Sequence, residues 1–148
     1  MIALFLVAIL SVTTVAALER SLTIDRRDKE TQLLYAGQAI QTAIMQYYLN
    51  ATGYAASYPL DLNTLLQKDQ RLPSQPVYLR RLYVDPMTGS TDWGTIPAPN
   101  GVGIMGVYSK STQQPIKLAG FPPAVANANP NIAQAQTYQQ WQFTYTPP

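Results

Sequence analysis

The sequence predicts an α+β protein: one long N-terminal α-helix packed by a small antiparallel β-sheet, with a short second helix in the connection between them. Three observations predict it. The opening stretch, "MIALFLVAILSVTTVAALER", is uncharged as far as Glu19, and no proline occurs before Pro59. Apolar or small residues then recur at Leu33, Leu34, Gly37, Ile40, Ile44, Tyr47 and Tyr48, close to the helical period. The C-terminal third changes to short, glycine-broken or alternating apolar runs, as half-buried strands do.

The helix is expected over residues 1–50, about 75 Å at helical rise. Its apolar half, 1–18, carries Leu4, Phe5, Leu6, Val7, Ile9, Leu10, Val15 and Leu18. A spanning helix needs about 20 apolar residues, so this run is at the short end of what crosses a bilayer. A helix apolar all round must be buried in lipid or in other protein. The run is long for a secretory signal and has no basic start, although Val15-Ala16-Ala17 offers a small-residue cleavage site and keeps a removed signal as the alternative. The amphipathic half, 19–52, begins with a charged zone. There Asp25 and Lys29, and Arg26 and Glu30, are i,i+4 pairs of opposite charge and predict two ion pairs along the helix. Its apolar stripe, Leu33, Leu34, Gly37, Ile40, Ile44 and Tyr47, is expected to pack against the rest of the chain, so 53–148 form a globular head together with 33–52.

Gly53 is expected to end the helix. "SYPLDLNTLLQKD" predicts the short second helix, with Leu60, Leu65 and Leu66 on one face, Pro59 or Asp61 near its start, and Pro73 and Pro76 closing it. "VYLRRLYV" reads as a strand or an extended arm. "DPMTGSTDWG" is turn chemistry, with Asp85-Pro86 opening it and Gly89 and Gly94 able to supply positive φ. "GVGIMGVYS" predicts a strand broken by Gly101, Gly103 and Gly106. These match a dinucleotide fingerprint literally, but no helix opens after them and no acid follows, so a bulge or close backbone approach explains them better. "PPAVANANPNIAQAQ" reads as a surface loop. "YQQWQFTY" reads as a final strand with Trp141, Phe143 and Tyr145 on one face.

The 148 residues suit one domain with a helical extension. A net charge of +2 with scattered basic residues gives no case for nucleic acid. The absence of cysteine and histidine excludes disulfides, thiol nucleophiles, serine–histidine triads and the usual zinc sites, and no enzymatic function or cofactor is expected. No Asp or Glu occurs beyond Asp92. Asp85 and Asp92 are candidates to hold an ion with loop carbonyls, and turn capping is the more economical role for both.

"YLRRLYVDPMTGSTDWG", then "GIMGVYSKS" followed by "PIK", then "YQQWQFTY", together with the apolar helix, its charged exit and its amphipathic continuation, resemble the pseudopilins of type II secretion, within the type IV pilin-like proteins. The motif residues are Asp85, Pro86, Gly89, Trp93, Gly94, Gly106 and Trp141. The resemblance implies a pilin-like fold and a non-catalytic structural subunit. Such a subunit is held in the bacterial inner membrane with a periplasmic head, cut by a prepilin peptidase, and bundled through its apolar half-helix with its own copies and other pseudopilins. The filament works with a secretion platform and an outer-membrane secretin. Two family features have no counterpart here: the basic leader ending in glycine, and the glutamate at the fifth mature position, where Phe5 or Ile2 falls. The missing leader is expected to mean a processed chain or a start further upstream. The missing glutamate leaves both a major and a minor rank open. The alternative class is a membrane-anchored or secreted monomeric recognition module whose many tyrosines, among them Tyr47, Tyr48, Tyr54, Tyr58, Tyr78, Tyr83, Tyr108 and Tyr138, line a carbohydrate or peptide surface.

Overall fold

The computed structural model describes residues 2–51 and 56–148, with side chains described from residue 19 onward. The expected break at Gly53, Tyr54 and the side chains of Leu4, Phe5, Leu6, Val7, Ile9, Leu10, Val15 and Leu18 lie outside the described residues. One helix, α1 (Ile2–Leu49), runs without interruption for 48 residues. Among the described residues no helix is long and apolar enough to cross a membrane.

A three-stranded antiparallel sheet packs on the second half of α1. It consists of β1 (Gly94–Pro97), β2 (Ile104–Tyr108) and β3 (Gln142–Thr144), in the order β1-β2-β3. Gly94 pairs with Tyr108 and Ile96 with Gly106, and the register slips between Ile96 and Pro97. Pro97 thus sits on an edge strand and beside a bulge, the places where a residue without an N–H is tolerated. Val107 pairs with Phe143 and Gly106 with Thr144.

The helix stripe behaves as its periodicity requires. Leu33, Leu34, Ala36, Ile40, Ala43 and Ile44 are buried against Val107, Phe143 and Trp141, and Tyr47 packs at the margin. Gly37 is the point of closest approach: a Cβ there would run into the Phe143 ring. Gln41 fixes the sheet edge by donating from Nε2 to the Thr144 carbonyl at 2.6 Å.

Four expectations are corrected. The second helix is a single 3₁₀ turn, Asn63–Leu66, of which Leu65 is buried while Leu60 lies 70% exposed. Asp61 starts it by accepting from the Thr64 amide and hydroxyl, both at 2.8 Å. It stops because Gln67 turns extended and the Leu65 carbonyl, which an α-helix would pair with the Asp69 amide, accepts from the Tyr78 and Leu79 amides instead. The "PPAVANANPNIAQAQ" loop is structured: it holds α2 (Pro123–Ala128) and a 3₁₀ turn, Ile132–Gln134, because Val125 and Ile132 are buried in the core. The final strand starts only at Gln142, and the residues before it, Tyr138–Gln140, form a 3₁₀ turn that buries Tyr138. Gly94 does not supply positive φ; it makes room for the Tyr108 ring stacked on it.

Candidate assembly surface

Three features make the surface: the stem of α1 before the head, the joint where the head grips it, and grooves beside it. From 19 to 29 nearly every residue of α1 is exposed, including Leu22 and Ile24 at 62% and 59%. Neither predicted ion pair of this zone forms. Among the described residues the ion pairs are Asp69–Arg71 and Asp92–Lys110. Arg26 donates to Gln113 Oε1 instead, at 3.3 Å.

Glu30 is diverted inward, 2% exposed, and forms the joint. Its Oε1 accepts from the Ile116 amide at 2.6 Å, the Lys117 amide at 3.1 Å and the Tyr138 hydroxyl at 2.9 Å. Burial pushes the Tyr138 hydroxyl well above its ordinary value, and the Glu30 carboxylate beside it pushes it further. Three donors converging on one buried oxygen hold the side chain in place as a hydrogen-bond acceptor. Sequence reasoning missed it because local spacing offered Glu30 a partner four residues away.

A second clasp holds the far end of α1. Arg71 donates Nε to Asp69 Oδ1 at 2.9 Å and Nη2 to Asp69 Oδ2 at 2.8 Å. The same Nη2 reaches the Tyr47 carbonyl at 3.0 Å, and the guanidinium lies 3.7 Å from the centre of the Tyr47 ring. A cation at the last carbonyls of a helix complements their partial negative charge. Tyr78 donates to Asp69 Oδ2 and accepts from Asn50 Nδ2, closing the network. The Arg71 hydrogen bonds hold the Asp69 carboxyl down at about 2, against the opposing effect of burial. The Asp-Gln-Arg spacing in "KDQRLP" was the available signal.

The "DPMTG" motif is a structural turn. Asp85 bridges Ser90, and its carboxylate accepts from Met87 N–H at 2.8 Å, Thr88 Oγ1 at 3.1 Å and Ser109 Oγ at 2.6 Å. This ties the turn to the end of β2. Pro86 enters the turn and Gly89 takes φ of 70° within it. Trp93 is buried and donates Nε1 to the Tyr83 carbonyl at 2.8 Å. Gly106 lets the Phe143 carbonyl and Thr144 approach, and Trp141 is fully buried against Tyr138 and Phe121. Asp92 pairs with Lys110 at 2.7 Å. Among the described residues no group of three metal-ligating side chains occurs, and Asp85 and Asp92 are each engaged separately.

"VYLRRLYV" is an arm rather than a strand, running beside α1 outside the sheet. Between them lie two grooves of about 720 and 520 Å³ that share Tyr35, Arg81 and Tyr83. Tyr35 and Tyr83 meet edge to face at 5.9 Å. The other tyrosines are dispersed: Tyr48 stacks with Tyr58 and Tyr145 near the end of α1, and Tyr138 is in the core. Tyr78 lines the larger groove with Tyr35 and Tyr83 and meets Tyr47 edge to face at 5.5 Å.

No protein-family model, curated protein or solved structure matches this chain.

Proposed function

We propose that the protein is a pilin-like structural subunit, of the pseudopilin kind, that assembles into a filament through its N-terminal helix. It serves in a type II secretion pseudopilus or a related pilus-like filament, resides in the bacterial inner membrane before assembly, and carries no catalysis. The observation that supports this most is the division of α1. A single unbroken helix is buried by its own head from Glu30 onward, while 19–29 stand largely exposed, touched through the Arg26–Gln113 hydrogen bond, and the apolar sequence of 1–18 continues ahead of them. A plain anchor needs no rigid continuation into its domain; a subunit that must hold its head at a set distance and angle from a helical core does.

The test is assembly in cells. Val7→Asp or Ile9→Asp is expected to abolish filaments and cysteine cross-linking between neighbouring helices while the head keeps its fold. A charge at the centre of an apolar helix costs about 2.5–3.5 kcal/mol on insertion scales. Normal filaments from either variant refute the bundling role. Monomers at all concentrations, with no cross-links between wild-type helices, favour the recognition-module reading instead.

A further inference from the structure

We propose that the groove between α1 and the arm binds an extended acidic segment of a partner protein, pairing with it main chain to main chain. The proposal goes beyond the filament reading and does not depend on it.

The main chain of the arm carries the first argument. Residues 82–84 run without a bend between the turns at Arg80 and Arg81 and the Asp85–Ser90 bridge. The Asp85 amide donates to the Ser90 carbonyl at 2.8 Å, and the Tyr83 carbonyl accepts from Trp93 Nε1. These two residues therefore direct their main-chain groups toward 90–93. Main-chain groups of an extended chain alternate sides, so Leu82 and Val84 direct theirs the other way. Among the described residues neither Leu82 nor Val84 has a hydrogen bond at its N–H or C=O. A short edge with unpaired groups is a template for one more extended chain.

The walls and the charge carry the second. Tyr35 and Ala36 of α1 face Leu82, Tyr83 and Val84 across the 520 Å³ groove, and Tyr35 and Val84 are 66% and 54% exposed. Arg81 lines both grooves, with its guanidinium 5.6 Å from the centre of the Tyr83 ring, and Arg80 lines the larger one; both are exposed and, among the described residues, neither is in an ion pair. No carboxylate lines either groove. An occupant that alternates acids with valine or tyrosine matches the charge, the walls and the free main-chain groups together.

The experiment is fluorescence anisotropy with the full-length chain in detergent micelles. The probe is fluorescein-labelled Asp-Val-Asp-Tyr-Asp amide; the comparisons are Lys-Val-Lys-Tyr-Lys amide and the acidic probe N-methylated at every peptide nitrogen. The acidic probe is expected to bind saturably, and both comparisons at least about tenfold more weakly. Arg81→Glu is expected to weaken the acidic probe by about tenfold, and Lys68→Glu, the same charge change at an exposed site outside the groove, by less than about twofold. The proposal is overturned by an acidic probe that does not saturate, by a lysine or N-methylated probe that binds as well, or by equal losses from the two charge reversals.

Discussion

Replacing Glu30 with alanine removes, in one step, the acceptor of three hydrogen bonds in a site 2% exposed. Hydrogen bonds to a charged group contribute about 1.5–3 kcal/mol each, but three donors on one oxygen do not add fully, so the loss is expected at about 3–5 kcal/mol. For a chain of this size that lowers Tm by on the order of 10–20 °C. Glu30→Gln keeps an acceptor oxygen without the charge and is expected to cost about 1–2 kcal/mol. Denaturant unfolding of the full chain in detergent, followed by fluorescence of the buried Trp93 and Trp141, measures both. Amide hydrogen exchange gives a local readout: the Ile116 and Lys117 amides should lose protection in Glu30→Ala far more than the β2 amides. A cost below about 1 kcal/mol with unchanged protection at those two amides would refute the view that this carboxylate mounts the head on the helix.

Asp69 makes the stability depend on acid. Its folded value of about 2 lies below the ordinary 3.8, so its contribution is fully present above about pH 4 and is lost as pH falls toward 2. The size is about 2 kcal/mol, and Asp69→Asn should flatten that part of the stability-against-pH curve. Gly37→Ala drives a methyl into the Phe143 ring and is expected to cost about 1–3 kcal/mol, seen as a lower denaturation midpoint with the same slope.

Features that repeat along the chain were legible in it. The apolar stripe from Leu33 to Ile44 follows directly from period, the strand around Val107 from its glycine-broken apolar run, and the Asp85 turn from its residue types. Features that depend on a partner far away in sequence were not. Glu30 meets residues 116, 117 and 138, and a rule that looks four residues along the helix sees only Arg26. Val125 and Ile132 are single apolar anchors in a Pro- and Asn-rich stretch, too few to show a period, yet the core below them is sufficient to fold the stretch into turns of helix. Gly94 was read as conformationally special because glycine often is; here the absence of a side chain, under Tyr108, is what the site uses. The Arg81 groove was invisible because it is made by a gap between two elements rather than by either one.

The unbroken α1 acts as a lever. Its 28 residues from Ile2 to Lys29 extend about 42 Å ahead of the Glu30 joint at helical rise, with no proline to absorb a bend. If the head pivots by about 10° at Glu30, the far tip of the helix sweeps about 7 Å at that length, most of the width of a packed helix. Small adjustments where the head grips α1, at Glu30, along the Leu33–Ile44 stripe and at the Arg71 clasp, therefore become whole-helix displacements at the other end, and the combined stiffness of those contacts sets how accurately one end of the molecule reports the position of the other.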